Sequence, residues 1–409
     1  MLMWILALRN LRRNVRRSIL TGLSMMGGYL LLAVTLSLQD GTYHVVLENI
    51  TKTKSGHFQI VQNEYLEHAK LDRTVELNAA LITSIQNNKN IIAYTTRIDS
   101  AALAYADEKT STVFILGIDP QKEKAFLDYS KEVVKGEYFS DLFTQDGYAQ
   151  VMIGASVAKK LDLSVGGELI LIGQGVDGST ANDIYIVTAI VGSKNDSFAN
   201  QVIMPLVHAQ EFLTLYNQAH HVLLLTDNYR VAQQNLTELN TTLVLPDESQ
   251  LVSWQTIEQE FYDAMTADKQ GSNITILVVV LMVGIGVLNT ILMSTMERRG
   301  EFGLLIAMGT QPLRLFLLIL FEVFLLVCLA CLTALIIVFP LNLWFSASGF
   351  ELSTPIEMSG INMTHMKGIN EAYVYWVPAV ILILTSMVIA IFPALKAAKT
   401  LPAVALKGL

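Results

Sequence analysis

The chain has 409 residues, of which 52% are hydrophobic and 16% charged, and its formal net charge is −8. Soluble globular proteins carry about a quarter charged residues, so the composition excludes an ordinary soluble protein. The acidic balance argues against a nucleic-acid binder, which needs a basic surface.

Residues 1–18 read as an amphipathic helix. Trp4, Leu8, Leu11 and Val15 recur at helical spacing, and Arg9, Arg12, Arg13, Arg16 and Arg17 form a second stripe. Such a helix lies in a membrane interface; a simple basic anchor is the plainer alternative. Residues 19–38 predict a first transmembrane helix, since crossing the hydrocarbon takes about 20 apolar residues. The stretch exceeds the apolar core of a signal peptide, about 7–15 residues. Residues 39–272 have ordinary soluble composition and predict a large mixed α/β domain. Within it, 92–105 and 111–118 predict a hairpin around Asp107-Glu108-Lys109. Segments 121–128, 153–161 and 231–241 read as helices. Segments 168–172 and 184–190 read as strands joined by a Gly-rich stretch, and 222–226 reads as another strand. Residues 253–269 predict a helix leading into a second transmembrane helix at 273–296. A charged connection at 297–312, a third transmembrane helix at 313–340, a loop at 341–372, a fourth transmembrane helix at 373–392 and a tail at 393–409 follow.

The basic residues set the orientation. They precede the first span, flank the 297–312 connection as Arg298, Arg299 and Arg314, and follow the fourth span as Lys396, Lys399 and Lys407. The 341–372 loop has Lys367 against Glu351, Glu357 and Glu371. Both termini and the 297–312 connection are therefore expected in the cytoplasm, and the large domain on the other side.

Few residues suggest chemistry. Cys328-x-x-Cys331 sits in an apolar stretch, where a thiol behaves as a small hydrophobe. His57, His68, His208, His220 and His221 show no metal-ligand spacing, and His220-His221 before a strand reads as surface. Glu322 falls well inside the third span, where a carboxylate is costly and often functional; a structural role in the dimer or lateral interface and a cargo contact are the two readings. Asn289 reads as a hydrogen-bonder between helices. After the charged cluster at 297–301 comes a short apolar helix and a glycine stop. That pattern suits a docking helix in which Leu304, Leu305 and Met308 enter a partner's groove, with Glu297, Arg298 and Glu301 at the rim and Arg299 beside them. An ordinary charged loop is the plain alternative.

Three separated runs carry a family resemblance. They are Ala-Leu-Arg-Asn-Leu-Arg-Arg-Asn at 7–14, Met-Glu-Arg-Arg-Gly-Glu-Phe-Gly-Leu-Leu-Ile-Ala-Met-Gly at 296–309, and Pro-Ala-Leu-Lys-Ala-Ala-Lys-Thr-Leu-Pro-Ala-Val-Ala-Leu at 393–406. Together they resemble the FtsX/MacB-like ABC transporter permeases. The resemblance implies a bacterial inner-membrane permease that dimerises with itself or a sister permease and docks on an ATPase dimer through a coupling helix at 297–312. It implies a periplasmic domain of porter plus β-rich sabre type, working by mechanotransmission. The sequence holds no G-x-x-x-x-G-K-[ST]. ATP and magnesium are therefore expected on a separate subunit, with no catalysis, cofactor or metal on this chain. The layout is most similar to the lipoprotein-releasing permeases of LolC/LolE type, which implies extraction of lipoproteins or another lipidic cargo. A MacB-like peptide or small-molecule exporter with a periplasmic adaptor, or an FtsX-like transmitter controlling a cell-wall hydrolase, are the alternatives. In the lipoprotein-releasing permeases an apolar hook recruits a periplasmic chaperone. The matching stretch here, 173–183, with Gln174, Val176 and Asp177 at its tip, is polar and glycine-rich. Interfaces need large buried anchors, so this stretch predicts no hook.

Overall fold

The structure is a computed structural model and describes residues 15–139, 143–144, 147–192, 198–358 and 361–399. Most of the expected 1–18 helix and of the 393–409 tail lies outside the described residues. The helices are α1 (Val15–Ile50), α2 (Ala79–Asn87), α3 (Ala155–Leu161), α4 (Leu206–Leu213), α5 (Ala232–Thr242), α6 (Trp254–Ile257), α7 (Gln259–Glu297), α8 (Arg299–Ala307), α9 (Pro312–Ala347) and α10 (Tyr373–Ala398). The strands are β1 (Phe58–Gln62), β2 (Val75–Glu76), β3 (Ile91–Ala106), β4 (Lys109–Ile118), β5 (Val133–Gly136), β6 (Ala149–Gly154), β7 (Glu168–Gln174), β8 (Thr180–Val191), β9 (Gln201–Pro205), β10 (Gln218–Ala219), β11 (His221–Thr226), β12 (Ser249–Ser253), β13 (Phe350–Met358) and β14 (Ile361–Met366). Two compact units result, one from the described parts of 1–45, 265–354 and 364–409, the other from 46–264 and 355–363.

The first unit is helical. Among the described residues, four helices are long and apolar enough to cross a membrane: those of α1, α7, α9 and α10. Their facing sides bury Tyr29, Val283, Val327, Ala334, Leu382 and Ala390 in one apolar cluster. Close approach needs small residues, as in lipid-embedded helix pairs generally. A Cβ on Gly28 would stand 2.5 Å from Val283 Cγ2, and one on Gly41 would stand 2.3 Å from the Lys367 carbonyl oxygen. The helices outrun the expected spans. In particular, 341–372 is not a plain loop: α9 continues through Ala347, and β13 and β14 pair as a hairpin. The apolar run of the third span extends smoothly into Leu341–Phe345, so nothing local stops the helix.

The second unit is built on a 10-stranded sheet. Strands β12-β1-β11-β3 lie in that order, each antiparallel to its neighbour. With α2 between β1 and β3 and α5 between β11 and β12, this is the split βαβ, ferredoxin-like arrangement. The second half of β3 enters a different structure. It pairs with β4 and β7, and the path β3-β4-β9-β6-β8-β7 closes on itself. Period-two alternation fills the ring: Ala102, Ala104, Val113, Ile115, Val151, Ile153, Leu169, Leu171, Tyr185, Val187 and Val202 are buried together. The alternate residues Leu103, Tyr105, Phe114, Ile172 and Ile184 are exposed.

Local differences from expectation have local causes. Segment 121–128 forms only a 3-10 turn at Glu123–Ala125. The helix expected over 153–161 begins at Ala155, because the apolar run before Gly154 is strand β6, paired with β8 and β9. The 173–183 loop shrinks to 175–179, since Gly173 and Gln174 pair with Ala181 and Thr180.

Candidate functional site

The structure gives the charged segment after the second long helix a definite form. Helix α7 ends at Glu297, Arg298 breaks the helical path, and α8 follows. Gly309 ends α8 with φ +89°. Its N–H donates to the Ile306 carbonyl at 2.9 Å and the Thr310 N–H to the Leu305 carbonyl at 3.0 Å, a Schellman closure that needs a left-handed residue. Pro312 then opens α9 at its first turn, where its missing N–H costs nothing.

Arg298 is the centre of this arrangement. It is 7% exposed, against the rim position expected of it. Its Nη1 donates to both carboxylate oxygens of Glu322, at 2.9 and 3.1 Å. Its Nε lies 3.4 Å from Glu301 Oε2, and its guanidinium stacks 4.9 Å from the centroid of buried Phe302. Glu322, read from sequence as an isolated intramembrane carboxylate, is thus the anchor on α9 for an arginine from the connection. No spacing rule announces this pair, because 24 residues separate its members. The only signal was that a buried carboxylate needs a cation.

The other expected residues divide. Leu304, Arg299 and Glu301 are exposed on α8, as are Glu297 at the end of α7 and Met308 just after α8. Leu305 instead packs against the helical cluster, so it belongs to the bundle rather than to a free docking face. Asn289 faces outward. The polar link between helices at that level is made by its neighbour, with Thr21 Oγ1 donating to Thr290 Oγ1 at 2.7 Å. Cys328 and Cys331 are free thiols on α9, Cys331 buried.

At the opposite ends of the helices a second polar cluster forms. Tyr43 Oη and Gln39 Nε2 both donate to Asp268 Oδ2, at 2.6 and 2.8 Å. Tyr373 Oη donates to Asp40 Oδ2 at 2.7 Å, and Ser37 Oγ to the Ile369 carbonyl at 2.9 Å. Helices α1, α7 and α10 are thereby tied together where hydrophobic packing gives out.

The turn between β7 and β8 is closed on itself. Asp177 Oδ1 accepts from the Ser179 N–H and hydroxyl at 2.9 and 2.6 Å, which holds its carboxyl below the usual range. The Val176 N–H donates to the Leu213 carbonyl at 2.9 Å, and its side chain packs on the core of the ring. Gln174 is the last residue of β7.

Residues 273–402 match the FtsX-like permease C-terminal family, and residues 18–252 match the MacB-like periplasmic core domain. The chain belongs to this family of ABC transporter permeases. Such permeases are membrane subunits that work with an ATPase. The permease is 21% identical over 315 residues to the lipoprotein-releasing system transmembrane protein LolC of Neisseria meningitidis serogroup B, covering 75% of this chain and 72% of that one. Its folded domain is similar to the periplasmic region of MacB from Actinobacillus actinomycetemcomitans, with 17% identity, 53% of this chain and 98% of that chain covered, and a TM-score of 0.36. It is also similar to the extracellular domain of the noncanonic ABC-type transporter YknZ from Gram-positive bacteria, with 14% identity, 48% and 99% coverage, and a TM-score of 0.34.

Proposed function

We propose that this permease passes ATP-driven motion from an ATPase docked at α8 to the folded domain, and that its cargo is a lipoprotein or another lipid-like molecule drawn from the outer leaflet of the inner membrane. The observation that carries the coupling role is the Arg298–Glu322 pair. A partner pressing on α8 acts on a helix fastened to α9, not on a free loop. Exposed Leu304 and Met308 supply the apolar contact and Glu297, Arg299 and Glu301 the charged rim. In this reading both termini and α8 face the cytoplasm, the folded domain and the β13–β14 hairpin face the periplasm, and the split βαβ sheet and the closed ring are the porter and sabre parts. The permease pairs with itself or a sister chain, and ATP and magnesium bind the ATPase. The likeness to LolC supports a lipoprotein cargo. The match of 18–252 to the MacB-like core supports a second reading, a peptide or small-molecule exporter with a periplasmic adaptor; an FtsX-like transmitter controlling a cell-wall hydrolase shares the same membrane parts.

The test is co-purification with the neighbouring ATPase and mass spectrometry of bound lipid or lipoprotein. Leu304→Asp and Glu301→Lys are expected to leave the chain inserted, weaken ATPase capture and lower cargo-stimulated ATP turnover. Capture and turnover unchanged in both variants would overturn the role of α8. For orientation, Ser179→Cys and Thr354→Cys are expected to react with an impermeant thiol reagent in spheroplasts and Thr310→Cys to stay unlabelled.

A further inference from the structure

Asn289 sits on the outward side of α7. Its side chain is exposed, and its amide has no hydrogen-bond partner among the described residues. The next residue shows what a satisfied polar group looks like at this level: Thr290 Oγ1 accepts from Thr21 Oγ1 at 2.7 Å and donates to the Gly286 carbonyl at 2.9 Å. At a rise of roughly 1.5 Å per residue, Asn289 lies about 12 Å along the axis from Glu297, where α7 ends. Lys and Arg escape such a depth on long stems; asparagine has none. A carboxamide left unpaired in hydrocarbon loses its hydrogen bonds to water and regains nothing.

The rest of that face is apolar and regularly spaced. Val278, Met282, Ile285, Asn289, Leu292 and Met296 follow one another in alternating steps of four and three residues, and all are exposed except half-buried Leu292. That is the spacing of a coiled-coil seam, with Asn289 as its one polar member. Packing within the chain uses a different face: Val279, Val283, Val287 and Ile291, four apart, are buried in the helical cluster. Of the four long helices α7 is the least enclosed, 28% of its most apolar stretch being buried against 44% for α9, so the seam stands clear of the bundle. No charge falls between Lys269 and Glu297.

Those features select an occupant. Acyl chains would cover the apolar residues and leave the amide unpaired. A partner with a charged face would find no counter-charge. What fits is an apolar helix with a carboxamide at the same depth, because an amide offers both donors and an acceptor and so pairs with its own kind. A second copy of this chain meets that requirement by symmetry. Copies of one sequence insert with one orientation, set by their basic residues. Two α7 helices side by side are therefore parallel, and their Asn289 residues lie at one depth. A residue close to a two-fold axis meets its own counterpart. A single Asn in an apolar seam is also what fixes register and helix number in parallel pairs.

We propose, on the reading that the permease works as a pair, that two copies meet through this face of α7 and that their Asn289 amides hydrogen-bond to each other across the two-fold axis. The seam supplies contact area, and the amide supplies the choice of partner. A sister permease with an apolar residue at this depth would leave Asn289 unpaired.

The test uses the full chain in the membranes of the expressing cell, with Cys328→Ala and Cys331→Ala as background. Under copper phenanthroline, Met282→Cys and Ile285→Cys are expected to cross-link into dimers, and Val388→Cys, similarly exposed but on α10, is not. In lipid vesicles, single-molecule photobleaching should show a monomer–dimer equilibrium that Asn289→Leu weakens by about fivefold and that Asn289→Gln, which keeps the amide, preserves. Asn289 is on the surface, so the melting temperature should be the same in all three chains, which separates pairing from folding. Dimers cross-linked through Val388→Cys and not through the seam would overturn the surface while leaving the paired reading intact. Dimers as strong with leucine as with asparagine would overturn the amide contact. Seam cysteines that cross-link only to a different polypeptide would overturn the second copy in favour of a sister permease. A chain that stays monomeric at every lipid dilution would overturn the paired reading itself.

Discussion

The two units of the permease handle buried charge in opposite places. In the helical unit, among the described residues, charged pairing lies toward the helix ends, Arg298–Glu322 at one and Asp268 with Tyr43 and Gln39 at the other, and the link between Thr21 and Thr290 is uncharged. In the sheet unit an ion pair, Arg97–Glu123, lies in the interior, with Glu123 0% and Arg97 4% exposed. The difference follows from what surrounds each unit. Leu20, Met282, Ile336 and Val388 are all more than 60% exposed on the helical unit, which is tolerable only where the surroundings are lipid. There, apolar surface has nothing to gain from burial, and polar pairs supply specificity at the edges. The sheet unit meets water, so its apolar residues fill the ring and its charges are free to be enclosed with partners.

The comparison breaks most visibly at the buried pair. Glu123→Gln or Arg97→Met strands a charge in the interior, and removing one member of such a pair costs about 3–5 kcal/mol. Thr95 Oγ1 donates to Glu123 Oε2 at 2.8 Å, so the glutamate also satisfies a hydroxyl. Near-ultraviolet circular dichroism of the full chain should show the sheet unit melting earlier, with the helical signal in the far ultraviolet preserved. The double variant Arg97→Met, Glu123→Leu should recover part of the loss. A single variant as stable as the parent would show that the pair is not enclosed.

Next comes pH, which should act on the sheet unit. Burial holds the His57 imidazole down at about 4, from 6.5. Its Nδ1 accepts the Thr226 N–H at 3.1 Å, a bond the protonated ring cannot accept. The unfolded chain takes up the proton first as pH falls, so stability is full above 6.5 and declines toward 4, by about 3 kcal/mol over the window. Burial lowers His220 too, which adds to the same slope. Melting temperatures between pH 4 and 7.5 should show the decline, and His57→Gln should flatten it. A native chain with a flat profile would contradict the burial of both rings.

At the edge of the helical unit the effect should be smaller. Glu322→Gln keeps a hydrogen-bond acceptor for Arg298 but removes the charge, and charged hydrogen bonds are worth about 1.5–3 kcal/mol. The loss should appear as weaker ATPase capture before it appears as unfolding, since the remaining bundle packs without it. Equal loss of capture and of fold would mean that Glu322 serves the bundle as a whole.

These contrasts also explain what was legible in the sequence. Long apolar runs mark the helices directly, and Asp107-Glu108 marks the β3–β4 turn because a tight turn has a local residue code. The closing of the ring is invisible, since β7 meets β3 through pairing of Leu103 with Ile172, far apart in the chain. Strand β6 was hidden because Val151-Met152-Ile153 merges with the helix after Gly154. His220 reads as surface from its neighbours, yet it is 1% exposed, its Nδ1 accepting from the Asp99 N–H and its Nε2 meeting the Leu71 carbonyl. The sequence singles out Arg298 and Glu322 separately; only the fold joins them.

The smallest effect is expected at the β7–β8 turn, and its smallness is informative. A docking hook must present an apolar anchor to its partner. Here the one sizeable apolar side chain, Val176, is turned inward, and the Asp177 carboxylate is spent on Ser179. What remains outside is Gln174, Asp177, Gly178 and Ser179, none of which offers area to bury. The combined variant Gln174→Ala, Asp177→Ala, Ser179→Ala should therefore leave the melting temperature and any capture of the host's lipoprotein chaperone by the full chain unchanged. If the native chain captures the chaperone and the variant loses it, the turn is a polar hook after all, and the contact must come from hydrogen bonds, not buried area. If capture is strong in both, the chaperone docks elsewhere, and the exposed apolar residues Phe114, Leu103 and Tyr105 on the outside of the ring are the place to mutate next.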